Sequence, residues 1–519
     1  MVHIHNNGWE MITLRCYFIL IAYLLFCANV FANVQQQKIS FDFLLTSSSA
    51  SLLLPIPNKL ISTNIVFELW QNNKKLNATY SIFNKWPTLN GKEYIRLLMI
   101  DADNLNRLSG QLTLTWHDSS NGNVRKYIII KKENHLNISL VYPSKNWLAQ
   151  SLLLHPKQNS SDNNWYVEPQ KKYANYVTNV AYLTKKGYPP HKPSQWLYDR
   201  PQAIYQLYIM TDDKKWLNKA NTLTDFYQNN IDDGGKFKLK KSFDIKYSMP
   251  KGLLYRYLLS GDERAINTLT KIYQRSLDWD EDYSLRRGFW TERNQAAALN
   301  VAISYWEITG DKNALERINS IIDATVKMTF SPQGNWSLIG CPQHSFKSHE
   351  GWGDDSPACS PWMMALLGDA LWRFYRLTGD IRSASLIDAF GDFIFNHGIF
   401  YGNKRVKNII IPKYLVSMEN AKQEELDQWS NPQHVCDVAG LVGKSVYIKN
   451  KSGNNSFLVQ SLFSAFVEQC QQSYVRLKKE KNKKQNKPYW SLKPPRRFAW
   501  MYSTTSDLPW LKSLLLNTY

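Results

Sequence analysis

With 519 residues, 44% of them hydrophobic and 20% charged, the chain is too apolar for global disorder and long enough for two domains. Its formal charge of +20 is concentrated: residues 476–497 carry ten Lys and Arg against Glu480 alone, so nearly half the surplus sits in one solvated run. The remainder favours an anionic partner, and the lack of any nucleic-acid recognition module argues against DNA or RNA.

At the N-terminus Arg15 precedes the apolar run "CYFILIAYLLFCANV", and "VFA" ending at Ala32 fits the small-x-small cleavage rule. Residues 1–32 are expected to be a signal peptide, which makes the mature chain periplasmic or secreted, with no stable membrane insertion after cleavage. An uncleaved anchor is the competing reading. Four cysteines then remain, Cys341, Cys359, Cys436 and Cys470, an even number that permits three pairings in an oxidising compartment. Cys341 with Cys359 would close one loop on itself, while Cys436 and Cys470 fall on two helices of one predicted hairpin. No CxxC or HxxxH spacing supports zinc, so neither metal nor cofactor is expected.

Residues 33–143 read as strands. "KISFDFLL", "NIVFELWQ", "ATYSIFNKW", "EYIRLLMID" and "QLTLTWHD" are short, rich in β-branched and aromatic residues, and separated by Asn, Gly, Ser and Asp. Six or seven such strands predict an antiparallel β-sandwich. Residues 144–195 are expected to form a connector between this sandwich and the next domain.

Over residues 196–519 the period changes from two to 3.6. "RPQAIYQLYIM", "KGLLYRYLL", "QAAALNVAISYWEI" and "MMALLGDALWRFYRL" carry apolar residues at helical spacing. Each ends in the same punctuation: Thr211-Asp212-Asp213, Ser260-Gly261-Asp262, Thr309-Gly310-Asp311 and Thr378-Gly379-Asp380. Weaker copies stand at Ser452-Gly453-Asn454 and Thr505-Ser506-Asp507. Gly past a helix end closes the last turn in the left-handed conformation, and the Asp after it caps the next helix. Each tripeptide therefore predicts a tight corner between two helices. The corners are too far apart and too unevenly spaced for TPR or HEAT solenoids. Six hairpins closed in a ring would put the long polar connections together on one rim.

These corners, with "FWTERNQAAALNVAISYWEITGD" and "SPWMMALLGDALWRFYRLTGD", resemble the six-hairpin glycosidase-like superfamily, the (α/α)6 toroids of many glycoside hydrolases and polysaccharide lyases. The likeness covers residues 196–519. "LLLPIPNKLI", "FELWQNNKKLNATYSIFNKWP" and "EYIRLLMI" are loosely similar to the N-terminal sandwich of the exo-rhamnogalacturonan-lyase-like family, although "KWPTLNGKEYIR" stands where that family has Trp-Pro-Asp-Gly-Ser. The resemblance implies an N-terminal antiparallel β-sandwich followed by an (α/α)6 toroid, and a carbohydrate-active enzyme.

If the long connections share a rim, the polar residues before each first helix meet in one cleft. The catalytic candidates are Glu292, His344, His349, Glu350, Tyr247 and His434. The substrate-binding candidates are Tyr198, Arg200, Asp244, Lys246, Trp290, Arg293, Trp352, Asp354, Asp355 and Asp437. Structural roles compete with these: Asp199 and Asp244 suit helix caps, Glu292 and Arg293 suit pairs between hairpins, and Trp362 suits a core. Hydrolysis would need two carboxylates, Glu292 with Glu350, Asp354 or Asp355. β-Elimination on a uronic acid would need a Tyr or His base and a cation to hold the developing charge, and the basic surface tips the reading towards it. The expected partner is a poly- or oligosaccharide, an anionic one under the elimination reading. A glycan-binding protein without catalysis is the third reading, distinguished by whether Glu292, His349 and His434 gather in one cleft. The sandwich is expected to complete a wall of that cleft.

Overall fold

The computed structural model describes residues 37–45, 51–63, 65–89, 91–102, 105, 109–118, 138–155, 164–179, 193–281, 292–332, 338–350, 352–404, 407–417, 434–479, 492 and 495–516. The expected signal peptide, Trp290 and most of the basic run lie outside these residues.

Eight strands form the N-terminal part: β1 (Gln37–Leu44), β2 (Ser51–Pro55), β3 (Ile65–Gln71), β4 (Lys74–Leu76), β5 (Ala78–Lys85), β6 (Ile95–Ala102), β7 (Ser109–Asp118) and β8 (Ile138–Pro143). Where two stacked sheets were expected, they hydrogen-bond into one curled sheet in the order β4-β3-β7-β1-β8-β2-β6-β5. The continuity comes from β8, which pairs antiparallel with β1 and parallel with β2, so the sheet is not purely antiparallel. Curling brings its two ends together, with the Phe67 and Tyr80 rings 5.4 Å apart. β1 buries alternate residues, Phe41 and Phe43, as a strand with one wet face must. β2 and most of β6 are instead buried without a break. Leu52, Leu54, Leu98 and Ile100 fill the sheet's own core, while Leu53, Leu97 and Met99 point the other way into the helical core. Continuous apolar strands mark a sheet covered on both faces.

Helices α1 (Lys145–Ser151) and α2 (Asn164–Val177) come next. The hairpins are α3/α4 (Arg200–Thr211, Lys214–Asn229), α5/α6 (Pro250–Ser260, Glu263–Ser276) and α7/α8 (Glu292–Thr309, Lys312–Phe330). After a short α9 (Phe346–Glu350) come α10/α11 (Pro361–Thr378, Ile381–His397), α12/α13 (Val435–Ser452, Phe457–Lys479) and α14/α15 (Pro495–Ser503, Leu508–Leu516). The corners form as their chemistry dictates. Asp212, Gly261, Gly310, Gly379 and Gly453 all adopt positive φ, from 58° to 78°. Asp213, Asp262, Asp311 and Asp380 each accept a backbone N–H from the first turn of the next helix.

The first helices of the pairs form the inner wall, α3 against α5, α5 against α7, α7 against α10 and α10 against α12. The ring closes where Gln202 of α3 donates to the Ser503 carbonyl at the end of α14, at 2.8 Å. Trp500 of α14 donates in turn to Asp437 of α12. α2 takes the outer place behind α14, its Tyr166 hydroxyl 2.8 Å from Thr505 Oγ1. Three inner helices are also tied across their packed faces: Asp369 of α10 receives Lys251 of α5 at 2.6 Å and Lys444 of α12 at 2.9 Å. Burial raises the Asp369 pKa, but the two ammonium groups outweigh it and bring the carboxyl to about 2.

The sheet packs on the corner side of the ring. A Cβ at Gly261 would meet Ile138, Leu53 and Phe83, and Asn84 donates to the Ile308 carbonyl at the end of α7. Arg96 of β6 reaches Glu307 near the same helix end, and Arg373 binds that carboxylate with two hydrogen bonds of 2.6 and 2.7 Å. The sheet therefore does not complete the cleft, as had been expected. Fifteen residues of helix separate Glu307 from Glu292, about 22 Å along the axis, and the polar rim lies at the far end.

On the corner side His155 stacks on Trp510 at 3.4 Å. Burial, with Arg376 and Lys444 against Asp507, lowers its pKa to about 3. In the unfolded chain this histidine protonates near its ordinary value of about 6.5, whereas the folded chain keeps it neutral. Stability from this group is thus complete above pH 6.5 and falls as pH drops towards 3, by up to about 1.4 kcal/mol per pH unit. His155→Gln should flatten the acid limb of urea stability between pH 6.5 and 4. An unchanged slope would remove His155 from the acid response.

Candidate functional site

The segment between α8 and α10 is built as a small platform. Cys341 and Cys359 are joined, with Cα atoms 6.3 Å apart, and Cys436 and Cys470 join α12 to α13 at 4.9 Å. Within the first loop β9 (His344–Ser345) pairs with β10 (Pro357–Cys359), which pairs with β11 (Val416–Ser417). Phe346, Ala358 and Leu415 are buried beneath it. The platform fixes His344, and the single turn α9 brings His349 round beside it. Opening the Cys341–Cys359 bridge, 18 residues in span, should cost about 3 kcal/mol from loop entropy. The check is urea denaturation of Cys341→Ser/Cys359→Ser, and a change below 0.5 kcal/mol (about a tenth of a small domain's stability) would contradict it.

Glu292 opens α7 and is wholly buried. Its Oε1 accepts the Ser360 backbone N–H at 2.8 Å, which ties α7 to the start of α10. Its Oε2 stands 3.0 Å from His344 Nδ1, off the line of an ideal hydrogen bond. His344 Nε2 lies 3.1 Å from His349 Nδ1. A carboxylate and two imidazoles thus form one chain. His344 is 4% exposed and Glu292 not at all, while His349 is half-buried as a residue with its Nε2 shielded from solvent. Burial, then His344 and Arg293, holds the His349 pKa well below that of free histidine, so the ring is neutral.

Beside this chain His434 begins α12. Its ring is 3.7 Å from that of Trp500 and stacks on Trp362 at 4.7 Å, and Trp362 lies 6.3 Å from His349. Asp437 Oδ2 accepts Trp500 Nε1 at 2.6 Å and stands 3.4 Å from His434 Nδ1. Burial drives the Asp437 pKa well up and the His434 pKa well down. Tyr414 closes the group, its ring 5.4 Å from His349 and 5.7 Å from His434.

The opposite wall is cationic. Arg293 lies over Trp362 at 5.7 Å, and Lys246 pairs with Asp244 at 3.2 Å. Tyr198, held at φ 68°, packs on Trp500 at 5.8 Å. Glu292, His344, His349 and His434 are therefore brought into one cluster with Arg293.

Other candidates serve the scaffold. Arg200 is buried, bonded to the Val177 and Gln195 carbonyls and stacked over Trp196, so it does not face the cleft. Asp437 is 3% exposed and holds Trp500, which corrects its assignment to substrate contact. Asp199 and Asp244 are helix caps, and Asp199 also accepts the amides of Lys251 and Gly252. Tyr247 is 8% exposed and stacks on Phe237. Asp354 caps a turn at Ser356, and Asp354, Asp355 and Trp352 sit at the exposed lip of the platform. The side chain of Glu350 and all of Trp290 lie outside the described residues. Sequence reading missed Trp500, Tyr414 and Ser360: Trp500 comes just after the basic run, Tyr414 stands in a loop without periodicity, and Ser360 acts through its backbone.

No protein-family model matches the sequence, and no curated protein does either. Solved structures do resemble it. A family 76 glycoside hydrolase from a bovine Bacteroides thetaiotaomicron strain has a TM-score of 0.41 at 10% identity, covering 92% of this chain and 99% of its own. A family 105 glycoside hydrolase of C. acetobutylicum reaches 0.42 at 12%, covering 65% and 98%. The cellobiose 2-epimerase of Bacillus thermoamylovorans reaches 0.38 at 13%, covering 60% and 87%. The ring of paired helices rests on the chain's own helix contacts, as the corner tripeptides predict. No residue role is carried over from likenesses this distant.

Proposed function

We propose that the protein is an exported carbohydrate-active enzyme that cleaves an acidic poly- or oligosaccharide by β-elimination. The observation that carries this reading is the chain Glu292, His344, His349. A carboxylate beside His344 Nδ1 favours the proton on that nitrogen, which leaves Nε2 to accept from His349 Nδ1. The lone pair of His349 is then on Nε2, and the neutral ring is a general base. In the reaction His349 takes the proton beside the sugar carboxylate. The C–H electron pair becomes a carbon–carbon double bond, and the neighbouring C–O bond breaks. We assign to Tyr414, whose ring is 5.4 Å from that of His349, the protonation of the leaving oxygen. Arg293 stands where it can neutralise the substrate carboxylate, which acidifies that proton.

Hydrolysis fits less well. It requires two carboxylates that touch the glycosidic oxygen and the attacking water, yet Glu292 is buried and holds the Ser360 amide, Asp354 caps its own turn at Ser356, and Asp355 sits on the exposed lip. Gathering of Glu292, His349 and His434 also favours an enzyme over a passive glycan binder. Export is supported by the apolar leader and by two disulfides, which persist in oxidising compartments.

The test is incubation with a panel of acidic and neutral polysaccharides, tracking ultraviolet absorbance of unsaturated ends and new reducing sugar together. Both signals on an acidic polymer are expected. Reducing sugar alone would replace the lyase reading with a hydrolase.

A further inference from the structure

Beside Arg293 lies an open pocket of about 80 Å³, between the starts of α3, α5 and α7 and the end of α14. Its walls carry three polar atoms that are buried and make no hydrogen bond: Arg293 Nε, Asn300 Oδ1 and Thr504 Oγ1. Buried polar groups in folded proteins are nearly always satisfied, so three orphans in one pocket mark the place of an absent partner. They are one donor, one acceptor and one hydroxyl that can do both. A sugar's hydroxyls and a carboxylate would satisfy all three.

Charge points to the same partner. Lining the pocket, Lys246, Lys251 and Arg293 face Asp199 and Asp369, a surplus of one positive charge with every group ionised. Arg293 makes no ion pair among the described residues, whereas Lys246, Lys251 and Lys444 each have an aspartate. The floor is closed by the Lys251–Asp369–Lys444 set, whose members are all buried or nearly so.

We propose that this pocket binds one uronic acid residue, its carboxylate against Arg293 and its hydroxyls against Asn300 and Thr504. The assignment deepens the elimination reading and rests on it for the identity of the site: Arg293 is shared by the pocket and the aromatic cluster that holds His349, so a sugar bound here belongs to the chain being cleaved. Asn300 and Thr504 become the specificity residues, Asn300 about two turns along α7 from Arg293.

The test is calorimetric titration of the full chain with free glucuronate and galacturonate, and with glucose and galactose as neutral controls. A uronate is expected to bind at least tenfold more tightly than its neutral counterpart. Thr504→Val, which keeps volume and removes the hydroxyl, and Arg293→Met should each weaken uronate binding about tenfold, with circular dichroism and thermal midpoints confirming that both variants fold. Equal binding of glucose and glucuronate, no uronate binding at millimolar concentration, or unchanged affinity in both folded variants would overturn the proposal. Uronate binding without cleavage of any polymer keeps the pocket and removes the lyase. Cleavage with unsaturated ends but no uronate binding keeps the lyase and removes the pocket.

Discussion

Glu307→Ala should cost the folded protein about 3–5 kcal/mol, the range for removing one partner of a buried ion pair. Glu307 is 1% exposed and receives Arg96 from the sheet and Arg373 from α10. Burial pushes its pKa up, but the two guanidinium groups outweigh that and leave the carboxyl below its ordinary value. With the carboxylate gone, two buried guanidinium groups face each other and no anion. The loss also cuts the link between the two parts of the molecule, because Arg96 donates both to the Glu307 side chain and, at 2.7 Å, to its backbone carbonyl. Urea denaturation monitored by tryptophan fluorescence reads the effect, and a loss below 1 kcal/mol would show that water reaches the cluster and screens it. Replacing Arg96, Glu307 and Arg373 together by apolar residues of similar volume should cost much less than Glu307→Ala, since no charge is then stranded. That contrast separates desolvation from simple loss of packing.

How far the sequence discloses the molecule depends on how local the physics is. The corners were legible because left-handed Gly and capping Asp act within five residues, and the structure shows both at Gly261 with Asp262 and at Gly379 with Asp380. The bulk of the strands were legible through alternation. Their arrangement was not, because the pairing of β8 with both β1 and β2 depends on partners tens of residues away. β6 carries a warning that alternation cannot give: an unbroken apolar run means a second surface packs on it, and that surface is the corner side of the ring. This misplaced the sheet at the cleft. The rim residues were found by position before each inner helix, which located Glu292, His344, His349 and His434 but could not tell inward from outward. Arg200 and Arg293 stand alike in sequence, each in the first turn of an inner helix, yet one stacks on Trp196 in the scaffold and the other on Trp362 at the cleft.

Glu292→Gln should reduce activity on an acidic glycan about as severely as His349→Gln, by roughly 10²–10⁴-fold in kcat/KM, the contribution of a positioned base. Loss at His349 comes from loss of the base itself. At Glu292 the reason is the proton order along the chain. Glutamine can still accept the Ser360 N–H through its carbonyl, so the tie between α7 and α10 survives. Its amide then presents a donor to His344 Nδ1, which moves the proton of that ring to Nε2. His349 Nδ1 must accept from it, and the His349 proton shifts to Nε2, where the lone pair was needed. An amide in place of a carboxylate disables the histidine of serine proteases by the same wrong tautomer. His344→Gln should be milder, since it removes the relay but leaves the His349 imidazole in place. The readouts are kcat and KM measured separately, with thermal midpoints for each variant: kcat should fall with KM little changed, because Glu292 and His344 do not touch substrate. A Glu292→Gln protein that folds normally and turns over at the wild-type rate would show that proton order in this chain is irrelevant, and His349 would no longer serve as the base.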